Sequence, residues 1–342
     1  MDERARIGLG DAFVALGQGI LWIVQSIWQA IASIFGYLGG LVFGRAPIPE
    51  GLDKPDLQAA QIKSVDIFDW FSWAGTQEDK QSLMKFVYYG GSTEFFFMVF
   101  TLFIGLTAIG MFHRPFLWAM VRGLEGFANG VGRFFAWAGL LMVIQQVIIV
   151  FMQRIFTRPD IVIGFGVPLQ FDISWYAEEL KFYNALVVSL CVTYAFVQGS
   201  HVRVDLVYAG VKFRTKKMID MFGSLFFMMP LAVIIWLYGW FFLWRSLIVP
   251  NPSASDQVEK LVLLKWRALR WNVETIGFSP NGFTAYFLFK VLMVSFAGLV
   301  FLHGIAFFWR SFLEWKEGEA SENKYLDKDT LGEGEEAYEG TH

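Results

Sequence analysis

The chain has 342 residues, 55% hydrophobic and 17% charged, where a soluble domain carries about 25% charge, so it is short of charge for a water-facing surface. A net charge of −3 gives no basic field for nucleic acid. The single cysteine, Cys191, excludes an internal disulfide and any cysteine-based metal site.

Apolar runs place the elements in chain order. A membrane span needs about 20 mostly apolar residues, and backbone groups in lipid can be satisfied over that length only as a helix. The first run, Ala12–Gly44, carries no charge before its end. At helical spacing Asp11, Gln18, Gln25, Gln29, Ser33, Gly36 and Gly40 fall on one stripe, which predicts a long tilted span with close helix–helix contact. The alternatives are a helix lying along the membrane surface and a cleaved leader ending near Ala30-Ile-Ala32. Ala46–Gly91 is a polar connector whose Phe68, Trp70, Phe71 and Trp73 suit interfacial anchoring.

Five further runs read as spans: Phe95–Phe112, Phe134–Gln153, Phe182–Ser200, Met221–Trp244 and Val291–Trp309. Pro230 predicts a kink in the fourth of these, and the last helix is expected to begin near Phe283. Ser255–Val273 alternates apolar and basic residues and predicts an amphipathic helix on the membrane. Glu314–His342 is acidic and predicts a disordered tail. The fold class is therefore an all-α integral membrane protein with about six transmembrane helices and interfacial amphipathic helices. The loop His201–Asp220 holds Arg203, Lys212, Arg214, Lys216 and Lys217, which assigns it and both termini to the cytoplasm.

No Walker loop, H-E-x-x-H, G-x-S-x-G or paired C-x-x-C occurs, so none of those enzyme chemistries is available. Three polar sets sit at span ends. Trp175, Glu178 and Glu179 precede one span, and topology puts Arg154 and Lys290 on the same face. Pairing these charges lowers the cost of holding them at a lipid boundary, although boundary charges can also reach into water. Gln198-Gly-Ser-His201-Val-Arg203-Val-Asp205 lies at the opposite face and reads as a helix end or an organising turn. His303 lies inside the last span, as a packed polar side chain or, with His201, as an axial haem pair. That pair defines the alternative of a haem-binding anchor subunit of a respiratory enzyme. A stand-alone carrier is the other alternative. Gln145, Gln146, Asn184 and Thr193 read as interhelical hydrogen bonders, and Cys191 as a packing residue.

From Gly132 to Phe312 the order of these motifs resembles the small membrane subunit (Q component) of tripartite ATP-independent periplasmic (TRAP) transporters. The matching residues are Val150-Phe-Met-Gln-Arg154-Ile-Phe156, then Trp175 with Glu178 and Glu179, then Gly199-Ser-His201-Val-Arg203-Val-Asp205, then Lys290 early in the last span. The resemblance implies a domain plan. Residues 1–130 form an extension with one or two membrane helices, 131–312 a four-helix membrane domain, and 313–342 the tail. It also implies a non-catalytic scaffold without a cofactor, in a bacterial inner membrane. That scaffold would brace a large membrane subunit (M component) served by a periplasmic substrate-binding protein, importing organic anions such as carboxylates with an ion gradient. Residues 1–130 and the expanded loop Ile248–Asn281 depart from the four-helix pattern.

Overall fold

A computed structural model describes residues 9–43, 66–72, 76–157, 160–163, 169–199, 210–249, 268–269 and 286–327. The helices are α1 (Leu9–Phe43), α2 (Gln77–Gly90), α3 (Thr93–Phe112), α4 (Arg114–Val150), α5 (Ile173–Leu190), α6 (Val192–Gln198), α7 (Phe213–Gly223), α8 (Met229–Leu247) and α9 (Phe287–Glu317). Among the described residues the extended structure is two short antiparallel ribbons. One pairs β1 (Asp160–Ile163) with β2 (Leu169–Asp172), and the other pairs β3 (Ile248–Val249) with β4 (Ala268–Leu269).

Five helices are long and apolar enough to cross a membrane, and α5 with α6 makes a sixth if that bent pair is one span. Over its described residues, each of the six apolar runs read from the sequence falls on one of these helical segments. The protein is thus an all-α, multi-pass membrane protein. Its outward faces agree: Phe134, Trp137, Phe227 and Tyr238 are each more than half exposed, which water would not tolerate across so many helices.

The chain divides into two compact units, residues 1–109 with 252–267, and residues 110–251 with 268–342. The boundary expected at 130 therefore falls inside α4.

In the first unit α1 leans Trp22 edge-on against Phe97 of α3, with ring centroids 5.2 Å apart. Ala30 is the buried position of α1, whereas Gln18, Gln25, Gln29, Ser33 and Gly36 are exposed. The amide stripe expected to make close contacts thus faces outward. The aromatic connector folds locally. Ser82, fully buried, accepts from the Trp70 backbone N–H and donates to the Asp66 carbonyl. Trp70 stacks on Phe71, and Phe86 of α2 covers Trp70 from the other helix. Thr76 and Asp79 form a capping box that starts α2, satisfying two otherwise orphaned backbone donors.

In the second unit α9 is the central helix and packs on α4, α5, α6, α7 and α8. Its contact with α8 is close because small residues face large ones. A Cβ added at Gly298 would lie 3.1 Å from Trp236, and one at Gly304 would lie 3.2 Å from Met229. Trp236 stacks on Trp240 along α8 beside this seam, and Trp244 meets Trp240 at a tilt, with successive centroids 5.3 and 5.8 Å apart.

Two irregularities interrupt the spans. A π turn, Ser224–Met228, immediately precedes Met229 and Pro230. Pro230 has no N–H to donate and its ring crowds the preceding carbonyl, so a widened turn takes up the misfit. The span Phe213–Leu247 continues through it. The second break, a 42° bend at Cys191 between α5 and α6, had no proline to announce it. Ser189 donates to the Ala185 carbonyl at 2.5 Å, a back-bond that competes with the helix ladder. At the bend the Cys191 thiol donates to the Gly132 carbonyl at 3.4 Å.

The amphipathic helix expected over Ser255–Val273 lies mostly outside the described residues. Its described part, Ala268–Leu269, is strand rather than helix. The tail expected over 313–342 is also corrected in part. Residues 313–317 complete α9, Glu319–Ser321 form a 3-10 turn, and the chain is described to Asp327.

Candidate functional site

Polar side chains gather at both ends of the second unit. At the end holding the N-termini of α5 and α9, the predicted carboxylates stand on the first turns of α5, because the helix starts at Ile173 rather than Phe182. Glu179 accepts from Gln145 Nε2 of α4 at 3.0 Å and from the Tyr183 hydroxyl at 3.2 Å. The same Gln145 amide donates to the Tyr176 carbonyl at 3.1 Å, so one side chain fastens α4 to α5. Glu178, buried, accepts from the Tyr286 hydroxyl at 3.2 Å, which joins α5 to the start of α9. Burial first, and then the Glu178 carboxylate, push the Tyr286 phenol above its ordinary range, so it stays protonated and donates. Trp175 packs edge-on against Tyr176 at 5.3 Å. Lys290 lies on the first turn of α9, one helical turn after Tyr286. Arg154 sits exposed in the π turn Phe151–Ile155 that ends α4, and makes no ion pair among the described residues.

The opposite end carries a cluster that the sequence reading passed over. The α4 helix runs 37 residues, about 55 Å at 1.5 Å per residue, so it outreaches a hydrocarbon core of about 30 Å. Its first half, before the apolar run at Phe134, carries Glu125 on the face turned to α9. Arg310 of α9 meets Glu125 in a two-pronged pair, Nε to Oε1 at 2.6 Å and Nη2 to Oε2 at 2.5 Å. Arg310 Nη1 donates to the Lys324 carbonyl at 2.9 Å and lies 3.5 Å from Glu314 Oε1. The other Glu314 oxygen takes Lys217 Nζ of α7 at 2.7 Å. Glu125, Arg310 and Glu314 are 4%, 7% and 2% exposed, so the pairs are desolvated and shielded from salt. Two carboxylates and two cations balance in charge, and three helices are tied at one level.

The segment after α9 closes this cluster. It turns at Gly318, whose φ of 91° favours glycine, and passes back across the bundle end. The Asn323 backbone N–H donates to Glu314 Oε1 at 3.2 Å. Tyr325 packs edge-on against Trp118, with the Arg122 guanidinium 4.9 Å from its ring centre. Trp118 in turn donates its indole N–H to Glu317 at 3.1 Å. Fully buried Asn129 donates to the carbonyl and the carboxylate of Asp327 at 2.8 and 3.0 Å, Gln198 of α6 donates to that carbonyl at 3.0 Å, and Arg133 pairs with the carboxylate at 3.1 Å.

Of the predicted turn at this end, Gln198 takes part and Gly199 closes α6 in a left-handed conformation at φ 74°. His201 and Asp205 lie outside the described residues. His303 is buried with its ring stacked on Phe196 and on Phe307, at 5.4 and 6.3 Å. Thr193, expected to hydrogen-bond between helices, is fully buried with no partner for its hydroxyl among the described residues.

The chemistry of both ends is fastening. The donors and acceptors are spent on one another across helices, and among the described residues no group of three or more His, Cys, Asp or Glu is placed to hold a metal ion. The sequence did contain one signal for the missed cluster. Arg310 and Glu314, four residues apart, continue the buried stripe of Ala306, Trp309 and Leu313, where an isolated charge is too costly to keep. No known family, no curated protein and no solved structure matches the chain.

Proposed function

We propose that the chain is a non-catalytic scaffold subunit of a tripartite secondary transporter, holding a large membrane subunit still while that partner carries cargo. The observation that carries the reading is the fastening at both ends of the second unit. Gln145, Glu179, Glu178 and Tyr286 join α4, α5 and α9 at one end, and Glu125, Arg310, Glu314 and Lys217 join α4, α9 and α7 at the other. A bundle cross-linked at both ends resists the relative helix motion that alternating access demands, whereas a brace gains from it. The motif order that resembles the Q component supports the same role. In this reading the partners are an M-type membrane subunit and a periplasmic binding protein, and the cargo is an organic anion moved by an ion gradient. The membrane is a bacterial inner membrane. The basic residues Lys212, Arg214, Lys216 and Lys217 put the end bearing the Arg310 cluster, and both termini, on the cytoplasmic side.

Affinity purification of the tagged chain from its native membranes in mild detergent tests this. The expected result is a large, strongly hydrophobic subunit recovered at a fixed ratio, with proteoliposomes of the chain alone showing no solute uptake. Uptake by the chain alone would overturn the scaffold role. A Soret band in the purified chain would move the assignment to the haem-anchor alternative.

A further inference from the structure

The first unit leaves a polar surface where lipid is expected. The candidate span Phe13–Gly40 of α1 contains no charged residue, yet Gln18, Gln25 and Gln29 stand exposed on one stripe with Ser33 and Gly36. The three amides have no hydrogen-bond partner among the described residues. The most covered positions of α1, Ala30 with Ile27 and Ile34, lie on another side, while Trp22, on the same line as the amides, touches Phe97 of α3 at its own level and leaves Gln18, Gln25 and Gln29 exposed. A Cβ added at Gly36 or Gly40 would meet nothing within 4 Å, so the backbone there is open to a close neighbour.

Lipid tails offer no donor or acceptor, so they cannot cover such a stripe without loss. A second α1 can. Each glutamine amide both donates and accepts, so the stripe is complementary to itself. Two copies inserted in the same sense lie parallel, and Gln18, Gln25 and Gln29 of one then meet their own counterparts at equal depth with no adjustment of register. No charge in the span repels the approach, and glycines near its end let the two backbones come together. Any other partner would need hydrogen-bonding groups matched in depth to these three. We infer that α1 is a self-association helix, joining two copies of this chain through Gln18, Gln25, Gln29, Ser33 and Gly36. This contact stands apart from the transport role and is tested without it.

The test uses the full chain in native membranes with Cys191→Ala and one new cysteine at a time, so every disulfide formed is between copies. Stripe positions are Gln18→Cys, Gln25→Cys, Gln29→Cys and Ser33→Cys. Val24→Cys, Trp28→Cys and Phe35→Cys sample other exposed sides of α1. Copper–phenanthroline oxidation is expected to give a dimer band at least fivefold stronger at stripe positions than at the other three. Gln25→Leu in the Gln29→Cys background is expected to reduce that band at least twofold. Equal yields around the helix, an absence of dimer, or cross-links only to a different subunit would overturn the inference. So would rapid labelling of all stripe cysteines by a membrane-impermeant maleimide, which means that water covers the stripe and α1 lies on the surface.

Discussion

Arg310 commits all three of its guanidinium nitrogens, two to Glu125 and the third to the Lys324 carbonyl near Glu314. In a desolvated place this completeness matters more than the attraction itself, because a lone buried charge is what costs. Arg310→Ala is expected to lower stability by about 3–5 kcal/mol, read as unfolding in detergent, since it strands Glu125. The double change Glu125→Leu with Arg310→Met is expected to lose far less, because the charges that remain, Glu314 and Lys217, still pair with each other. Asp327 and Arg133 form a different kind of pair, with side chains 54% and 43% exposed. Arg133→Ala is therefore expected to cost under about 1 kcal/mol and to become silent in high salt. If Arg133→Ala proved as damaging as Arg310→Ala, solvent screening at the bundle end would have been misjudged.

At the level of elements, the contact between α4 and α6 turns on one missing atom. A side chain at Gly132 would place its Cβ far inside van der Waals contact with the Tyr194 Cβ and 2.6 Å from Cγ. The obstruction is close to the α6 backbone, so a rotamer change cannot relieve it. Gly132→Ala is expected to cost about 1–3 kcal/mol through overpacking. Adding Tyr194→Ala is expected to leave most of that loss in place because the Tyr194 Cβ remains, whereas Tyr194→Gly is expected to relieve it. Thermal unfolding of the three variants decides the point. Helix bends are a second lesson at this scale. Pro230 was readable as the place of a kink, and the structure widens the turn before it into a π turn while the span continues. The bend at Cys191 arises from a serine back-bond and close packing on Gly132, neither of which marks itself in a run of apolar letters.

For the whole molecule, the segment after α9 belongs to the folded unit. A chain ended after Gly318 removes the Lys324 carbonyl from Arg310 and the Asn323 N–H from Glu314. Loss of a hydrogen bond to a charged group costs about 1.5–3 kcal/mol, so this truncation is expected to destabilise by at least that much in a detergent unfolding series. An unchanged midpoint would mean that the segment merely rests on the bundle.

The sequence by itself determined that this is a helical membrane protein and which stretches are long and apolar enough to cross. Hydrocarbon leaves a backbone one economical conformation, and length and apolarity are local properties written residue by residue. It also placed Gln145 among the interhelical fasteners, since an amide inside an apolar run has few other uses. Which charges meet was decided only by tertiary structure. Glu125 and Arg310 are 185 residues apart, and nothing local distinguishes Glu125 from a solvated helix charge until α9 lies beside it. The same is true of Asp327, acidic and near the end of the chain, which reads as tail until Asn129 and Gln198 converge on it. The amide stripe of α1 shows the boundary between the two kinds of knowledge. Periodicity put those residues on one line, but only packing could say which side of the helix the rest of the chain would cover.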